Sequence, residues 1–245
     1  MERTDKTKNV LPVHYEISGA RRAFSSIAIA LAAAAVGLLG VRVATQIDLM
    51  QWWVPPVFLA GLIAADFGSG LVHWGADTWG RDDLPIVGRT LLVPFRVHHL
   101  NPEDFARRSF VDTNGEVAAI AFVVLLALLL VPLHTRWGGA VALTGLTFCG
   151  IGMLTNQIHQ WAHVERVPTP VRWLQRCHLV LGPEEHARHH LRPYDERYCI
   201  TTGWCNRPLE ALDFFRRAET VITRVTGAMP RHDDRRYESR YAPSA

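Results

Sequence analysis

Four apolar stretches, about Ala23–Val41, Trp52–Val72, Val117–Leu133 and Gly139–Gln157, restrict what this chain can fold into. A helix crosses a bilayer with about 20 mostly apolar residues, and as few as about 17 suffice. The first two stretches meet that length. The third is shorter but almost entirely Val, Leu and Ala, and the fourth contains Thr144, Thr147 and Cys149 without any charge. One such stretch could be a buried helix of a soluble protein, but four in 245 residues would leave too little polar sequence to cover them. A cleaved signal peptide does not fit the first stretch, whose apolar run exceeds an ordinary h-region and begins after more than twenty residues. The expected fold is all-α: a four-span integral membrane helical bundle with a cytoplasmic histidine-rich di-metal cap. One domain is expected over residues 23–230, between a polar tail at 1–22 and a disordered tail at 231–245.

Lysine and arginine set the orientation of such a bundle. The N-terminal tail holds Arg3, Lys6, Lys8, Arg21 and Arg22, and the segment between the second and third stretches holds Arg81, Arg89, Arg96, Arg107 and Arg108. The C-terminal region is richer still, whereas the other two connections have only Arg42 and Arg136. Both termini and the middle segment are therefore expected in the cytoplasm. Arginine abutting the bilayer suits anionic headgroups, and a net charge of +3 makes no case for nucleic acid. Cys149, Cys177, Cys199 and Cys205 form no Cys-x-x-Cys pair, so structural thiols are expected. Trp52, Trp53, Trp74, Trp79 and Trp161 near span ends suit an interfacial belt, and Gly61, Gly68 and Gly70 suit close helix packing.

Nine of the twelve histidines fall in four short groups on the expected cytoplasmic side: His73, His98-His99, His159 with His163, and His178 followed by His186, His189 and His190. His134 falls on the opposite face, and His14 and His232 lie in the polar tails. His159 and His163 are four apart, which stacks both rings on one helical face. His186, His189 and His190, at i, i+3 and i+4, share a face in the same way. Adjacent His98 and His99 point about 100° apart on a helix and could serve two metals. His73, an ionisable group at the end of an apolar span, is a functional candidate by position. One metal takes roughly four to six ligands, so eight or nine imidazoles suggest two metals. Asp77, Asn156 and Gln157 are the candidates to orient these ligands through hydrogen bonds. Asp66 would line the same cavity or make a helix–helix hydrogen bond. The zincin His-Glu-x-x-His pattern is missing, and an all-histidine double site suits dinuclear iron that activates dioxygen beside a dry membrane edge.

The run Asp66-Phe-Gly-Ser-Gly-Leu-Val-His73-Trp-Gly-Ala-Asp77-Thr-Trp-Gly80 resembles the Kua/CarF family of membrane lipid desaturases. Pro94-Phe-Arg-x-His98-His99, Thr155-Asn-Gln-Ile-His159-Gln-Trp-Ala-His163, His186-x-x-His189-His190 and Tyr198-Cys-Ile-Thr-Thr-Gly-Trp204-Cys-Asn206 are similar to it too, and plant fatty acid desaturase 4 is more distantly similar in its histidine pattern. The resemblance implies two iron ions held by His73, His98, His99, His159, His163, His186, His189 and His190, with His178 at a further family histidine position. It implies dioxygen as co-substrate, a small electron carrier of cytochrome b5 or ferredoxin type, and a membrane phospholipid substrate. The implied reaction converts the 1-O-alkyl chain of an ethanolamine ether phospholipid into a vinyl ether. Desaturation of ester-linked acyl chains is the alternative within that chemistry, and a non-enzymatic metal-binding membrane protein is the alternative outside it. Glu184-Glu185 stands where animal members have a basic run. An Ala- and Arg-rich composition suggests a bacterial inner membrane.

Overall fold

The structure is a computed structural model that describes residues 17–231. His14, His232 and the expectations for both terminal tails lie outside those residues, apart from the ends at 17–22 and at 231. Among the described residues every regular element is helical. Four helices or helical runs are long and apolar enough to cross a membrane: 19–46, 54–78, 110–128 and 136–163.

Helix α1, Gly19–Gln46, starts where the Ser18 side chain accepts a hydrogen bond from the Arg21 N–H at 3.2 Å. At about 1.5 Å per residue its 28 residues outreach the hydrocarbon core of a bilayer. Helix α2, Val54–Thr78, opens with prolines in its first turn, where their missing N–H costs nothing. Helix α5, Phe110–Leu128, is capped by Ser109, and α6, Arg136–Gly152, by Thr135. After a turn at Met153 and Leu154 the chain continues into α7, Thr155–His163, which completes the fourth span.

The third span begins seven residues before the expected Val117 and ends at Leu128 rather than Leu133. Its first two turns carry Asp112, Asn114 and Glu116, which an apolarity reading excludes. Each finds a partner: Asp112 binds Arg22, Glu116 binds Arg21, and the Asn114 amide N–H donates to the Phe110 carbonyl. Helices α1 and α5 pack through Ala28, Ala32 and Ala35 against Ala118 and Ala121, the small residues that let helices approach in a bilayer. A Cβ at Gly115 would strike Ser25. Helices α2 and α6 meet in the same way, with a Cβ at Gly61 only 2.7 Å from the Thr147 Cβ. Phe24, Ile27, Leu31, Leu38, Phe58, Ile120 and Val123 are exposed. Apolar surface of that extent suits lipid rather than water.

The four spans alternate in direction, so α1 and α5 begin where α2 and α7 end. The connection between α2 and α5 lies at this end, as a π-helical turn at Gly88–Leu92 followed by α3, Val93–Leu100, and α4, Pro102–Arg107. The chain after α7 adds α8, Thr169–Arg176, and α9, Pro183–His189. Two further helices follow, α10, Asn206–Ala211, and α11, Phe214–Thr226. The two are separated at Asp213, whose φ of 50° is left-handed and leaves the helical path. The tryptophan belt is corrected in part. Trp53 is buried in the span core, and Trp74 is buried with its indole N–H donating to Glu219 at 3.0 Å.

Candidate metal centre

Three short helices and the end of α2 bring the chemistry together. Helix α3 carries His98 and His99, α7 carries His159 and His163, and α9 presents His186, His189 and, at its C-terminal cap, His190. The last two turns of α2 add His73 and Asp77. These side chains form two groups, each able to hold a metal ion: His98, His159, His163, His186 and His190 in one, and His73, Asp77, His99 and His189 in the other.

In the first group the Nε2 atoms converge. His159 lies 3.0 Å from His98 and 2.8 Å from His186, while His163 lies 3.0 Å from His98, 3.3 Å from His159 and 2.7 Å from His186. His190 reaches His186 at 3.1 Å. An imidazole nitrogen has one in-plane position, either a proton or a lone pair, so it can serve one hydrogen bond. The Nε2 of His163 faces three others, which a hydrogen-bond network cannot satisfy. Metal–nitrogen bonds of about 2.1 Å at angles near 90–110° give nitrogen–nitrogen edges of about 3.0–3.4 Å. The observed separations lie close to that range, so these residues fit a coordination shell.

In the second group His99 and His189 bring their Nε2 atoms to 2.9 Å. Asp77 Oδ2 stands 3.4, 3.6 and 3.8 Å from the Nε2 atoms of His73, His99 and His189. The backbone fixes two tautomers here. His73 Nδ1–H donates to the Tyr198 carbonyl at 3.1 Å and His189 Nδ1–H donates to the Glu196 carbonyl at 2.7 Å, leaving each Nε2 lone pair for a metal. The ring of Tyr194 stacks on His99 with centroids 4.7 Å apart.

His98, His99, His186, His189 and His190 stay neutral when the solvent is neutral. Burial, then repulsion from neighbouring rings, holds His98, His99 and His186 well below the ordinary imidazole range. The same causes push His189 down to about 3, and burial pushes His190 down to about 4. Neutral imidazole is the metal-binding form.

A loop after α9 is clamped to α2 by Asp66. Its Oδ1 accepts the backbone N–H groups of Thr201, Thr202 and Gly203 at 3.2, 2.7 and 2.9 Å, and Oδ2 accepts that of Cys205 at 2.9 Å. Asp66 is fully buried, so it lines no open cavity, and its bonds run to this loop and to Cys205, the N-cap residue of α10. Its clamp holds the segment that supplies the Tyr198 carbonyl to His73. Gly70 permits the close approach, since a Cβ there would strike Cys199 Sγ.

Eight of the nine predicted histidines enter the two groups. His178 does not: it is exposed, its backbone has a φ of 54°, and its carbonyl accepts the Trp204 indole N–H at 2.6 Å. Asp77, expected to orient a ligand, stands among the candidate ligand atoms of the second group. Asn156 donates to the Thr113 carbonyl at 2.6 Å, so it ties α7 to α5 rather than contacting an imidazole. Two residues escaped the sequence reading. Buried Arg96 binds the Ala76 carbonyl at 3.0 Å, Asp82 at 2.7 Å, and the Trp79 and Gly80 carbonyls at 2.5 and 3.1 Å, fixing α3 to the end of α2. Gln160 donates to the Phe105 and Arg108 carbonyls at 2.8 and 3.1 Å. Their position inside histidine motifs was the available signal.

Residues 62–233 match the family described as Lipid desaturase domain. The chain is 42% identical over 184 residues to plasmanylethanolamine desaturase of Myxococcus xanthus, covering 75% of this chain and 65% of that protein. It is 43% identical over 202 residues to plasmanylethanolamine desaturase 1 of Mus musculus, covering 77% and 73%. Fatty acid desaturase 4, chloroplastic, of Arabidopsis thaliana is 34% identical over 174 residues, covering 70% and 52%. The match spans just under two thirds of the Myxococcus protein's length. No solved structure matches the chain.

Proposed function

The chain belongs to the lipid desaturase family, and on that premise we propose that it is a di-iron, O2-dependent membrane desaturase forming the vinyl ether of a plasmalogen. Its substrate is the 1-O-alkyl chain of plasmanylethanolamine. Two hydrogens leave the first two carbons of that chain, and dioxygen becomes two waters with two electrons and two protons from outside. Cytochrome b5 or a ferredoxin-type carrier supplies the electrons. The observation that carries this reading is the pair of adjacent ligand groups, built only from nitrogen and carboxylate donors. Such donors suit iron, and the lack of thiolate disfavours softer alternatives.

Iron bound in the two groups supplies reductive activation of dioxygen, enough to take hydrogen from an unactivated C–H bond. The chain's own residues supply the rest. His73 and His189 are held by backbone carbonyls with Nε2 presented inward. Asp77 adds a carboxylate to the imidazole donors. Burial of His73, His98, His99, His159, His186 and His189 keeps water from the oxidant. Residues 23–230 form the desaturase domain, with the metal centre and both termini on the cytoplasmic side, as the arginine and lysine distribution indicates.

The test is lipid mass spectrometry of cells given a 1-O-alkyl phosphoethanolamine lipid, with and without brief acid treatment. Wild type should yield an acid-labile product two mass units lighter, and His163→Ala should yield none. An acid-stable product would favour acyl desaturation, the reading suggested by the plant relative's name. No product, with lipid, oxygen and donor present, would favour a non-enzymatic metal protein.

A further inference from the structure

We propose that the charged cleft at the N-terminal ends of α1 and α5 is a headgroup site for a zwitterionic phosphoethanolamine lipid. Glu116 receives the ammonium, while Arg21 and Arg108 hold the phosphate. This inference rests on the desaturase reading above and assigns its specificity.

The cleft is open to solvent, and its wall includes His98 and His159 together with Arg21, Arg108, Asp112 and Glu116. The two histidines are buried, whereas the side chains of Arg21 and Glu116 are 34% and 42% exposed. One wall thus runs from the candidate metal ligands to a partly solvated charged end.

The charges there are not equally committed. Arg22 occupies both oxygens of Asp112, at 3.1 and 3.0 Å, and that pair serves to hold α1 to α5. Arg21 places Nε and Nη2 on the same oxygen of Glu116, Oε1, at 2.9 and 2.5 Å. Glu116 Oε2 therefore accepts no hydrogen bond from the described residues. Arg108 spends Nη2 on Asp104 at 2.6 Å and keeps its other donors. A partly exposed pair exchanges partners at little cost. A zwitterion can take both halves at once, its ammonium on Glu116 and its phosphate on Arg21 and Arg108.

The reaction demands this proximity. The bond that becomes a vinyl ether is the first carbon–carbon bond of the alkyl chain, beside the glycerol oxygen. The phosphate therefore stays about six bonds from the reacting carbons and the ammonium about ten, closer than in a lipid desaturated in mid-chain. A headgroup site must then share a cleft with metal ligands, as Glu116 and Arg108 do with His98 and His159. Phe95 and Phe105 in the same cleft offer apolar contact for the first carbons. An ammonium brings three N–H donors to a carboxylate, and a trimethylammonium brings none.

The experiment compares 1-O-alkyl lipids bearing phosphoethanolamine or phosphocholine in nanodiscs with the full-length, metal-loaded protein. Binding is measured under nitrogen, and vinyl-ether product is measured after oxygen and reductant are added. Glu116→Gln should cut the preference for ethanolamine over choline at least tenfold in both readouts. Arg108→Gln should weaken both lipids alike. The swap of Arg21→Glu with Glu116→Arg keeps an ion pair between the helices and should also lose the preference, which covers a failure of Glu116→Gln to fold. An unchanged ratio in a folded variant of Glu116, or an equal loss for both lipids, overturns the site while product formation upholds the desaturase. If wild type makes no product yet binds ethanolamine lipid preferentially, and Glu116→Gln abolishes that preference, the headgroup site stands and the desaturase reading falls.

Discussion

His98 and His99 are consecutive on α3, yet their rings, with centroids 6.1 Å apart and planes inclined at 51°, enter different ligand groups. One peptide unit therefore spans the two groups and sets the distance between whatever they hold. His189 and His190 repeat the division from α9, with centroids 5.6 Å apart.

Replacing either member of the first pair should empty one group and leave the other. His98→Ala and His99→Ala are each expected to lower bound iron from two ions to about one per chain, measured by elemental analysis of purified protein. Desaturation should fall at least about 100-fold in both, the upper range seen when a partner of a ligand is lost. Full loss of iron from either variant would show that the groups load as one.

Asp66→Asn tests the clamp. The asparagine keeps one acceptor oxygen for three N–H groups but turns an amino group toward the Cys205 N–H. A buried bond to a charged group contributes about 1.5–3 kcal/mol, so a loss of about 2–4 kcal/mol is expected in unfolding measured in detergent. Iron affinity should fall as well, because the Tyr198 carbonyl that orients His73 lies on the clamped segment.

Gly70→Ala should destabilise by about 1–3 kcal/mol, the usual cost of overpacking. Cys199→Ala in the same chain removes the sulfur that the new methyl group meets, and should restore most of the loss. A double variant no more stable than Gly70→Ala alone would place the strain elsewhere.

Acid should unfold the metal-free protein by a stated route. Above the ordinary histidine value of 6.5, His189 and His190 are neutral both folded and unfolded, so stability does not depend on them. As pH falls below 6.5 the unfolded chain gains protons that the folded chain refuses until about 4 for His190 and about 3 for His189. Stability is therefore lost progressively between about pH 6.5 and 3. The lowered values of His98, His99 and His186 act with the same sign. Thermal midpoints of chelator-treated protein against pH would check this, and a flat profile down to pH 4 would refute it.

Most of the architecture was legible in the chain, because membrane helices announce themselves by length and apolarity. The third span was misplaced for an identifiable reason. Asp112, Asn114 and Glu116 read as loop residues until Arg21 and Arg22, about ninety positions earlier, are seen to neutralise the two acids. The histidine inventory was legible too, apart from His178, whose membership rested on resemblance and whose ring lies outside both groups.

The sequence by itself determined four spans, a helical end rich in imidazole, and those side-chain pairs that one helix brings together. The 3.6-residue period fixes directions within a helix, so it stacks His159 with His163 and points His98 away from His99. Only the tertiary structure decided which helices share a group, that Asp77 stands among the candidate ligands, and that Asp66 clamps a loop 135–139 positions away. Those outcomes depend on distances between helices. Small residues such as Gly61, Gly70 and Gly115 set these distances by how closely they let backbones approach, and no periodicity along one chain segment encodes that.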